Sequence, residues 1–343
     1  MTLVPMLEWL HHLVGNYGVA VILFTLLIRV LLFPFDYKSR KSMRKVSALQ
    51  PKLAVLQKKY ANDRDKLNKK TQELYQKEGV NPLSGCLPML LSYPILIFMF
   101  NTMRYYANQM MVQQVADCLI SGGQTYAYEP FLWIKNLFMA DSPTHMAMVD
   151  FNSLKIINDV NLWNSILNRT TEGGITYLQA LNGSGLLSAP LEAFSSENMT
   201  AQIEVIWNAY SGTAIYTANS GIAATGNMLL FTVTIFNNFN GLWILPILSA
   251  VSQFVMTKLT GNQQPTPTAD AADPQAAPQQ ATGKFMKWFF PFFSLWICAS
   301  STAAFALYWV VSNLIAMGST VAVNKYLDSK EKKDTIAGEG IVQ

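Results

Sequence analysis

Apolar residues are gathered into four long segments of this chain, separated by polar segments. The four cover residues 17–35, 85–103, 241–257 and 285–324. A membrane-spanning helix needs about 20 mostly apolar residues, and the last segment is long enough for two. A polar run at residues 300–302 lies near its middle and suits a tight turn. The pattern predicts an all-α membrane protein with five transmembrane helices, the last two joined by a very short loop.

The composition agrees with a membrane protein. Of the 343 residues, 51% are hydrophobic and only 13% are charged, whereas soluble domains carry about 25% charged residues. Cys86, Cys118 and Cys298 are far apart and form no C-x-x-C pair, so neither a zinc site nor a disulfide framework is indicated. We expect no metal and no cofactor.

The charges are divided unevenly between the polar segments. Residues 36–80 hold 13 basic and five acidic residues, residues 106–240 hold three basic and nine acidic ones, and four lysines follow Asn324. Basic loops stay in the cytoplasm. The charges therefore predict an N-terminus outside the cell and a C-terminus inside.

The remaining segments complete the predicted organisation. Residues 1–15 have apolar residues at helical spacing and predict a helix lying on the outer surface. A Pro-, Gln- and Ala-rich stretch predicts a disordered linker. In chain order, the predicted parts are the interfacial helix 1–15, span one 16–36, a cytoplasmic helical hairpin 37–80, span two 84–105, an outer loop 106–240, span three 241–258, the linker 259–283, span four 284–300, span five 303–324 and a cytoplasmic tail 325–343.

The basic segment 37–80 predicts an antiparallel pair of helices. Val46, Leu49, Leu53, Leu56 and Tyr60 alternate three and four residues apart, as in a coiled-coil seam. Asp63 then begins a second helix as its N-cap. The basic charges either enforce topology and touch anionic lipid, or form a docking arm for acidic partners.

Arg29 is a charged residue inside the first predicted span. A central Arg costs about 2.5–3.5 kcal/mol on insertion scales. It either extends to the cytoplasmic headgroups or faces a wet, protein-lined groove, and Thr25 lies one helical turn earlier on the same face. Polar residues of the other spans that would join such a groove are Ser92, Gln253, Ser312 and Asn313.

Five stretches of the chain together match a known family. They are residues 16–60, GVNPLSGCLP at 79–88, FLWIKNLF at 131–138, LWILPILSAVSQF at 242–254 and LYWVVSN at 307–313. In this order and with this spacing, they closely resemble the YidC/Oxa/Alb membrane protein insertases.

The resemblance implies an insertase of the bacterial cytoplasmic membrane that uses no nucleotide hydrolysis. In this family the five spans enclose a hydrophilic groove open to the cytoplasm, and the Arg of the first core span, here Arg29, receives the polar part of a client. The client's apolar segment leaves between spans two and five into lipid. The implied groove residues are Arg29, Thr25, Ser92, Gln253 and Asn313, and the implied hydrophobic slide is Leu91, Ile95, Phe98, Tyr308 and Trp309.

The resemblance also implies partners. They are nascent membrane proteins, the Sec translocon, the ribosome, the signal-recognition-particle pathway and membrane lipids, with no direct contact to DNA.

The chain differs from the family pattern at three places. Ser92 replaces a usual Gln, and Thr302-Ala303-Ala304 replaces a usual Pro-x-Gly. The largest difference is an insertion at residues 145–238, with helical patterns at 151–167 and 199–210 and an apolar run at 229–236 that is too short to span a membrane.

An intramembrane protease and a channel or transporter are the alternative classes of protein. An intramembrane protease needs a Ser–His, Ser–Lys or paired-Asp arrangement, and the predicted spans contain none of these partners before their boundaries. We therefore expect no enzyme and no catalytic residue. A channel or transporter stays open as the alternative, although no internal repeat supports it.

Overall fold

The computed structural model describes residues 3–79, 87–227, 232–261 and 276–339, with side chains described in 3–63, 65–79, 94–227, 232–259 and 287–330. These residues are mostly helical and include one pair of strands. In chain order, the elements are α1 (Val4–Val14), α2 (Tyr17–Ala48), α3 (Gln50–Lys59), α4 (Arg64–Lys77), α5 (Leu87–Ile120), α6 (Phe151–Lys155), α7 (Val160–Leu167), α8 (Tyr177–Gly183), α9 (Met199–Ser211), α10 (Ala214–Asn219), β1 (Ile222–Asn227), β2 (Thr232–Phe236), α11 (Ile244–Gly261), α12 (Ala276–Ala299) and α13 (Ala303–Glu339).

The chain folds into two compact units. Five helices contribute residues to both units, namely α2, α5, α11, α12 and α13, and each of them overlaps one of the five predicted spans. Unit 1 is Met1–Leu23, Met99–Ile247 and Trp296–Tyr308, and unit 2 is Phe24–Phe98, Leu248–Leu295 and Trp309–Gln343.

Two helices of the described residues are long and apolar enough to cross a membrane. They are Tyr17–Ala48 and Ala303–Lys330, with mean hydropathies of 2.4 and 1.5 over their most apolar windows. Ile244–Leu259 and Lys287–Ala299 are shorter apolar helices. Both α2 and α5 continue well past the predicted span ends, because the Lys, Arg, Gln and Ala residues that follow are good helix formers. The mostly helical fold is confirmed, and the number of spans stays a prediction.

The prediction of an all-α fold is wrong inside the insertion. β1 and β2 pair as an antiparallel hairpin, with Gly226 opposite Val233, and the register is irregular between Ile222 and Ala224. The apolar run that was too short for a span supplies β2, whose sequence TVTIF is rich in the β-branched residues that favour strands. Residues 232–236 of the run are therefore one strand of a hairpin.

Residues 151–167 form two short helices instead of one. Asp150 caps α6, where its Oδ1 accepts a hydrogen bond from the backbone N–H of Ser153 at 2.7 Å. Asp159 caps α7 in the same way, accepting from the N–H of Leu162 at 3.0 Å. The second cap starts a new helix inside a continuous helical pattern. The other helical pattern, at 199–210, is confirmed as α9.

The linker prediction differs from the structure at its two ends. α11 extends to Gly261, and residues 276–283 form the first turns of α12. Ala and Gln, which are abundant in this segment, are good helix formers. Residues 262–275 lie outside the described residues.

Helices α3 and α4 pack against each other within unit 2. The predicted N-cap is present, since Asp63 Oδ1 accepts from the N–H of Lys66 at 3.0 Å. Lys52 Nζ donates to Glu78 Oε1 at 2.5 Å, which ties the start of α3 to the end of α4. Leu74 and Tyr75 of α4 pack against Leu53 of α3, Leu49 just before it and Val46 at the end of α2.

A buried amide network holds unit 1 together. Asn136 Nδ2 donates to the carbonyl oxygen of Ala147 at 2.9 Å and to Gln114 Oε1 at 3.0 Å. Asn240 Nδ2 donates to the carbonyl oxygens of Asn136 and Ala140, both at 2.9 Å. Buried polar groups cost free energy unless they are bonded, so these bonds fix the segments around residues 114, 136 and 240 together.

The ends of the insertion lie side by side. Met146 and Phe239 form an antiparallel bridge. The N–H of Ala147 donates to the carbonyl oxygen of Asn238 at 2.9 Å, and the N–H of Asn240 donates to that of His145 at 2.9 Å. The insertion therefore leaves and rejoins the rest of unit 1 at one place.

The short connection between α12 and α13 is tied to the same unit. The helices are separated by residues 300–302 only. The N–H groups of Ala303 and Ala304 donate to the carbonyl oxygens of Met139 and Leu137, both at 2.8 Å. First-turn N–H groups have no partner within a helix, so the segment at 137–139 satisfies the start of α13.

Candidate functional site

Arg29 is half-buried in unit 2 and is held by a hydroxyl on α13. Its Nε donates to Ser312 Oγ at 2.9 Å, and its Nη2 donates to the same oxygen at 2.5 Å. Ser312 itself is buried. The guanidinium is therefore fixed by a neutral oxygen of another helix, which leaves its full positive charge in place.

The surroundings of Arg29 on α2 are partly buried and partly exposed. Thr25, one turn earlier on the Arg29 face, is fully buried. Large apolar side chains away from that face, namely Leu27, Val30 and Leu31, are exposed, as suits a helix in contact with lipid. Leu26 and Phe33, three residues before and four residues after Arg29 and hence near its face, are exposed as well.

A polar seam joins α11, α12 and α13 inside unit 2. It consists of Ser249, Ser252, Ser294 and Asn313. Asn313 Nδ2 donates to Ser252 Oγ at 3.1 Å, and Ser252 Oγ donates to the carbonyl oxygen of Ser249 at 2.9 Å. Ser249 Oγ in turn donates to the carbonyl oxygen of Ser294 at 3.1 Å. Such bonds between helices are a usual means of association in membranes.

The structure places the other predicted groove residues as follows. Asn313 belongs to the polar seam, and Gln253 is half-buried on α11 next to Ser252. Ser92 lies in the part of α5 whose side chains are not described. Arg29 and Ser312 are brought together directly, whereas Asn313, the next residue on α13, bonds to α11.

The predicted slide residues differ in exposure. In unit 2, Phe98 is 37% exposed, while Ile95 and Trp309 are half-buried. In unit 1, Tyr308 is only 6% exposed and its ring lies 6.1 Å from that of Phe305. Leu91 belongs to the part of α5 whose side chains are not described. The hydrophobic slide stays a prediction. Its described residues belong partly to unit 1 and partly to unit 2.

Sequence reasoning missed three serines and one ion pair. Ser249, Ser252 and Ser294 were not singled out, although Ser249 and Ser252 stand three residues apart in an apolar helix, which places them on one face. Arg44 Nη2 forms an ion pair with Asp328 Oδ1 at 2.7 Å. That pair joins α2 and α13 across 284 positions of sequence, and no local pattern reveals it.

The described arrangement acts through charge and hydrogen bonding. Among the described residues, no group of three His, Cys, Asp or Glu side chains is placed to hold a metal ion. A half-buried guanidinium interacts with carboxylates more strongly than an exposed one, because the surroundings screen it less. The site is suited to attract an acidic segment reversibly.

Comparison with known proteins identifies the family. The model of the 60Kd inner membrane protein family matches residues 9–222 and 199–331. A membrane protein insertase YidC of Caldanaerobacter subterraneus subsp. tengcongensis is 49% identical over 106 residues, which are 31% of this chain and 52% of that protein.

A second relative covers more of the chain. A membrane protein insertase YidC of Anaeromyxobacter dehalogenans is 42% identical over 139 residues, which are 40% of this chain and 22% of that protein. The matches thus span about half the length of one relative and about a fifth of the other. The family model covers most of the chain, and the chain belongs to the 60Kd inner membrane protein family, the YidC/Oxa/Alb insertases.

Proposed function

We propose that this chain inserts membrane proteins by receiving the polar part of a client at Arg29 and releasing its apolar segment into lipid. The observation that carries the proposal is the pair of hydrogen bonds from Arg29 Nε and Nη2 to Ser312 Oγ. They favour a side chain held by the protein over one that extends to the headgroups. The family membership supports the insertase activity.

The proposed path follows from the surroundings of Arg29. A hydrated groove shortens the apolar barrier that a polar client segment must cross. The guanidinium attracts carboxylates of that segment, and the neutral hydroxyl of Ser312 positions it without cancelling its charge. The apolar client segment then leaves past the slide residues such as Phe98. The driving force is transfer of apolar surface into lipid, so no nucleotide hydrolysis is needed.

The remaining parts have supporting roles in this proposal. The clients are nascent membrane proteins in the bacterial plasma membrane. The pair α3 and α4, with its excess of Lys and Arg, stays on the cytoplasmic side, where it contacts anionic lipid or acidic surfaces of the ribosome, the signal-recognition particle or the Sec translocon.

The test is rescue of cells depleted of their own insertase. Arg29→Lys and Arg29→Gln are compared on two small clients that differ only in whether the translocated segment carries acidic residues. We expect Arg29→Lys to retain most insertion, because it keeps the charge. Arg29→Gln should lower insertion of the acidic client about tenfold, the effect of losing about 1.4 kcal/mol of attraction, and affect the neutral client little.

Arg44→Gln is the matched control, because Arg44 is already paired with Asp328. Equal activity of Arg29→Gln on both clients, at normal abundance, would refute the groove role. Ion leakage without client insertion would instead favour a channel.

Topology is tested separately. A cysteine at Ala48 should react only from the cytoplasm and one at Ser195 only from outside, since the surrounding segments carry opposite charge excess. Both positions are exposed. Reaction of both from one side would contradict the five-span arrangement.

A further inference from the structure

Unit 1 contains an amphipathic cavity that the proposed insertion mechanism does not use. Its volume is about 530 Å³, within the range of about 300–1,000 Å³ that is usual for small-molecule sites. α5, α12 and the connection before α13 form one side, and the first turns of the insertion form the other. The insertion thus completes a cavity against the ends of helices.

The helical side of the cavity contains apolar side chains and one cationic side chain. Phe100 and Arg104 lie four residues apart on α5, so they share a face. Trp296 lies in the last turn of α12, and Ser300 follows the end of that helix. Trp296 is 66% exposed. An exposed Trp is typical of the boundary between lipid and water. In the predicted topology these residues stand at the outer ends of spans two and four.

The insertion side of the cavity supplies an anion and neutral polar groups. Asp150 and Asn152 line it. One oxygen of Asp150, Oδ1, caps α6, and its carboxylate also faces the cavity that Arg104 lines. His145 adds no charge, because burial lowers the pKa of its imidazole below the ordinary value. The cavity therefore presents one positive group, one negative group and an apolar wall.

We propose that this cavity binds the headgroup of a zwitterionic phospholipid with a primary ammonium, phosphatidylethanolamine. Arg104 binds the phosphate, as guanidinium groups commonly do. Asp150 accepts hydrogen bonds from the ammonium. Phe100 and Trp296 line the apolar path of the acyl chains. A headgroup with only a negative charge would meet Asp150, and a quaternary ammonium has no N–H to donate to it.

The test measures lipid binding by the purified full chain in detergent, using native mass spectrometry. Phosphatidylethanolamine, phosphatidylcholine and phosphatidylglycerol with identical acyl chains are compared. We expect phosphatidylethanolamine to bind about tenfold more tightly than phosphatidylglycerol, the effect of one partly desolvated charge-assisted hydrogen bond. Soluble glycerophosphoethanolamine should not displace it, because the acyl chains contribute to binding.

Variants separate the two charges. Asp150→Asn keeps the helix cap, since Asn caps as well as Asp, and should abolish the preference for phosphatidylethanolamine. Arg104→Gln should weaken all three lipids, because all three carry a phosphate. Lys155→Gln, on the same short helix but outside the cavity lining, and the exposed Glu204→Gln are the matched controls and should bind like the original chain.

A steric variant tests the same cavity without removing either charge, so it can be used even if the charge variants unfold. Ile156 lines the cavity and is largely exposed, so Ile156→Trp fills the cavity without disturbing the core. It should weaken all three lipids. Unchanged binding in Ile156→Trp, no preference in the original chain, or displacement by the soluble headgroup would overturn the proposal. None of these measurements depends on client insertion, so they stand apart from the test of Arg29.

Discussion

Asn136 in unit 1 and Arg29 in unit 2 are both polar groups among apolar side chains, and their bonding differs. Asn136 is 0% exposed, and its Nδ2 donates to Gln114 and Ala147. Its Oδ1 accepts from the N–H of Phe138 at 3.2 Å and from Gln114 Nε2 at 3.3 Å. Arg29 has five N–H donors, and within the described residues its bonds go to a single hydroxyl oxygen.

This difference distinguishes a structural network from the site that we propose for the client. The hydrogen-bonding capacity of Asn136 is filled by its own chain, so its bonds stabilise unit 1. Arg29 is positioned by Ser312, and in the proposed mechanism its remaining donors and its charge interact with the client segment.

Asn136→Ala should destabilise unit 1 strongly. It leaves the carbonyl oxygen of Ala147 and the N–H of Phe138 without their partner in a buried place, so the free energy of unfolding should fall by about 2–4 kcal/mol. Thermal unfolding in detergent, with proteolysis of residues 106–240 as the local readout, measures this loss. The exposed Asn158→Ala should be neutral. If Asn136→Ala were equally neutral, the network would not hold the unit.

Arg29→Gln should leave stability nearly unchanged while it impairs the acidic client. Removing the charge relieves a cost of inserting it into the membrane and loses only the bonds to Ser312, so unfolding should change by less than about 1 kcal/mol. Abundance and thermal unfolding of the purified variant check this. A drop as large as that of Asn136→Ala would make Arg29 a structural residue.

The bond between Ser252 and Asn313 should contribute little, although both side chains are buried. A double-mutant cycle of Ser252→Ala and Asn313→Ala should give a coupling energy of about 0.6 kcal/mol, the average found for polar pairs between membrane helices. Thr257→Ala with Asn313→Ala is the control pair, because Thr257 Oγ1 bonds within its own helix. A coupling above about 2 kcal/mol would show that the seam is a structural network like that of Asn136.

The smallest expected effect is the loss of stability of the pair α3 and α4 at acidic pH. The hydrogen bond from Lys66 lowers the pKa of Asp63, and the hydrogen bond from Lys52 lowers that of Glu78. A carboxyl whose pKa is lowered on folding stabilises the fold above its ordinary pKa and loses this contribution as the pH falls through the lowered value. The protection of the α4 amides against hydrogen exchange, measured relative to their intrinsic exchange rates at the same pH, should therefore fall slightly below about pH 4. Glu78→Gln should reduce that dependence, and an unchanged response would contradict the role of the pair with Lys52.

Local features of the fold were predictable from the sequence, while many contacts were not. The run of apolar residues in α2 and the cap at Asp63 depend on neighbours in the chain, and both were predicted. The bonds of Asp141 Oδ1 and Oδ2 to the N–H groups of Leu242 and Leu245, at 2.8 and 2.7 Å, cross about 100 residues. Periodicity contains no information about such pairs, so this cap of α11 was missed.

In the candidate site too, the sequence predicted a residue but did not predict its contacts with residues that are distant in the chain. The cost of a charge inside an apolar span singled out Arg29 from sequence alone. The sequence offered four polar residues of other spans as neighbours of Arg29 and did not distinguish between them. Only the packing of α13 brings one of them, Ser312, into contact with Arg29 across 283 positions of sequence. The β-hairpin was missed for a different reason, since a short apolar run fits a strand or a buried helix equally well.

A charge exchange between Arg29 and a client tests whether the side chain at position 29 contacts the client. Insertion is measured for Arg29 and for Arg29→Glu, each with one client whose translocated segment is acidic and one in which lysines replace those acids. We expect Arg29→Glu to fail on the acidic client and to insert the basic client about tenfold better than the acidic one. If Arg29→Glu is abundant and correctly oriented, yet handles both clients alike, then the charge at position 29 does not contact the client and the proposed mechanism is contradicted.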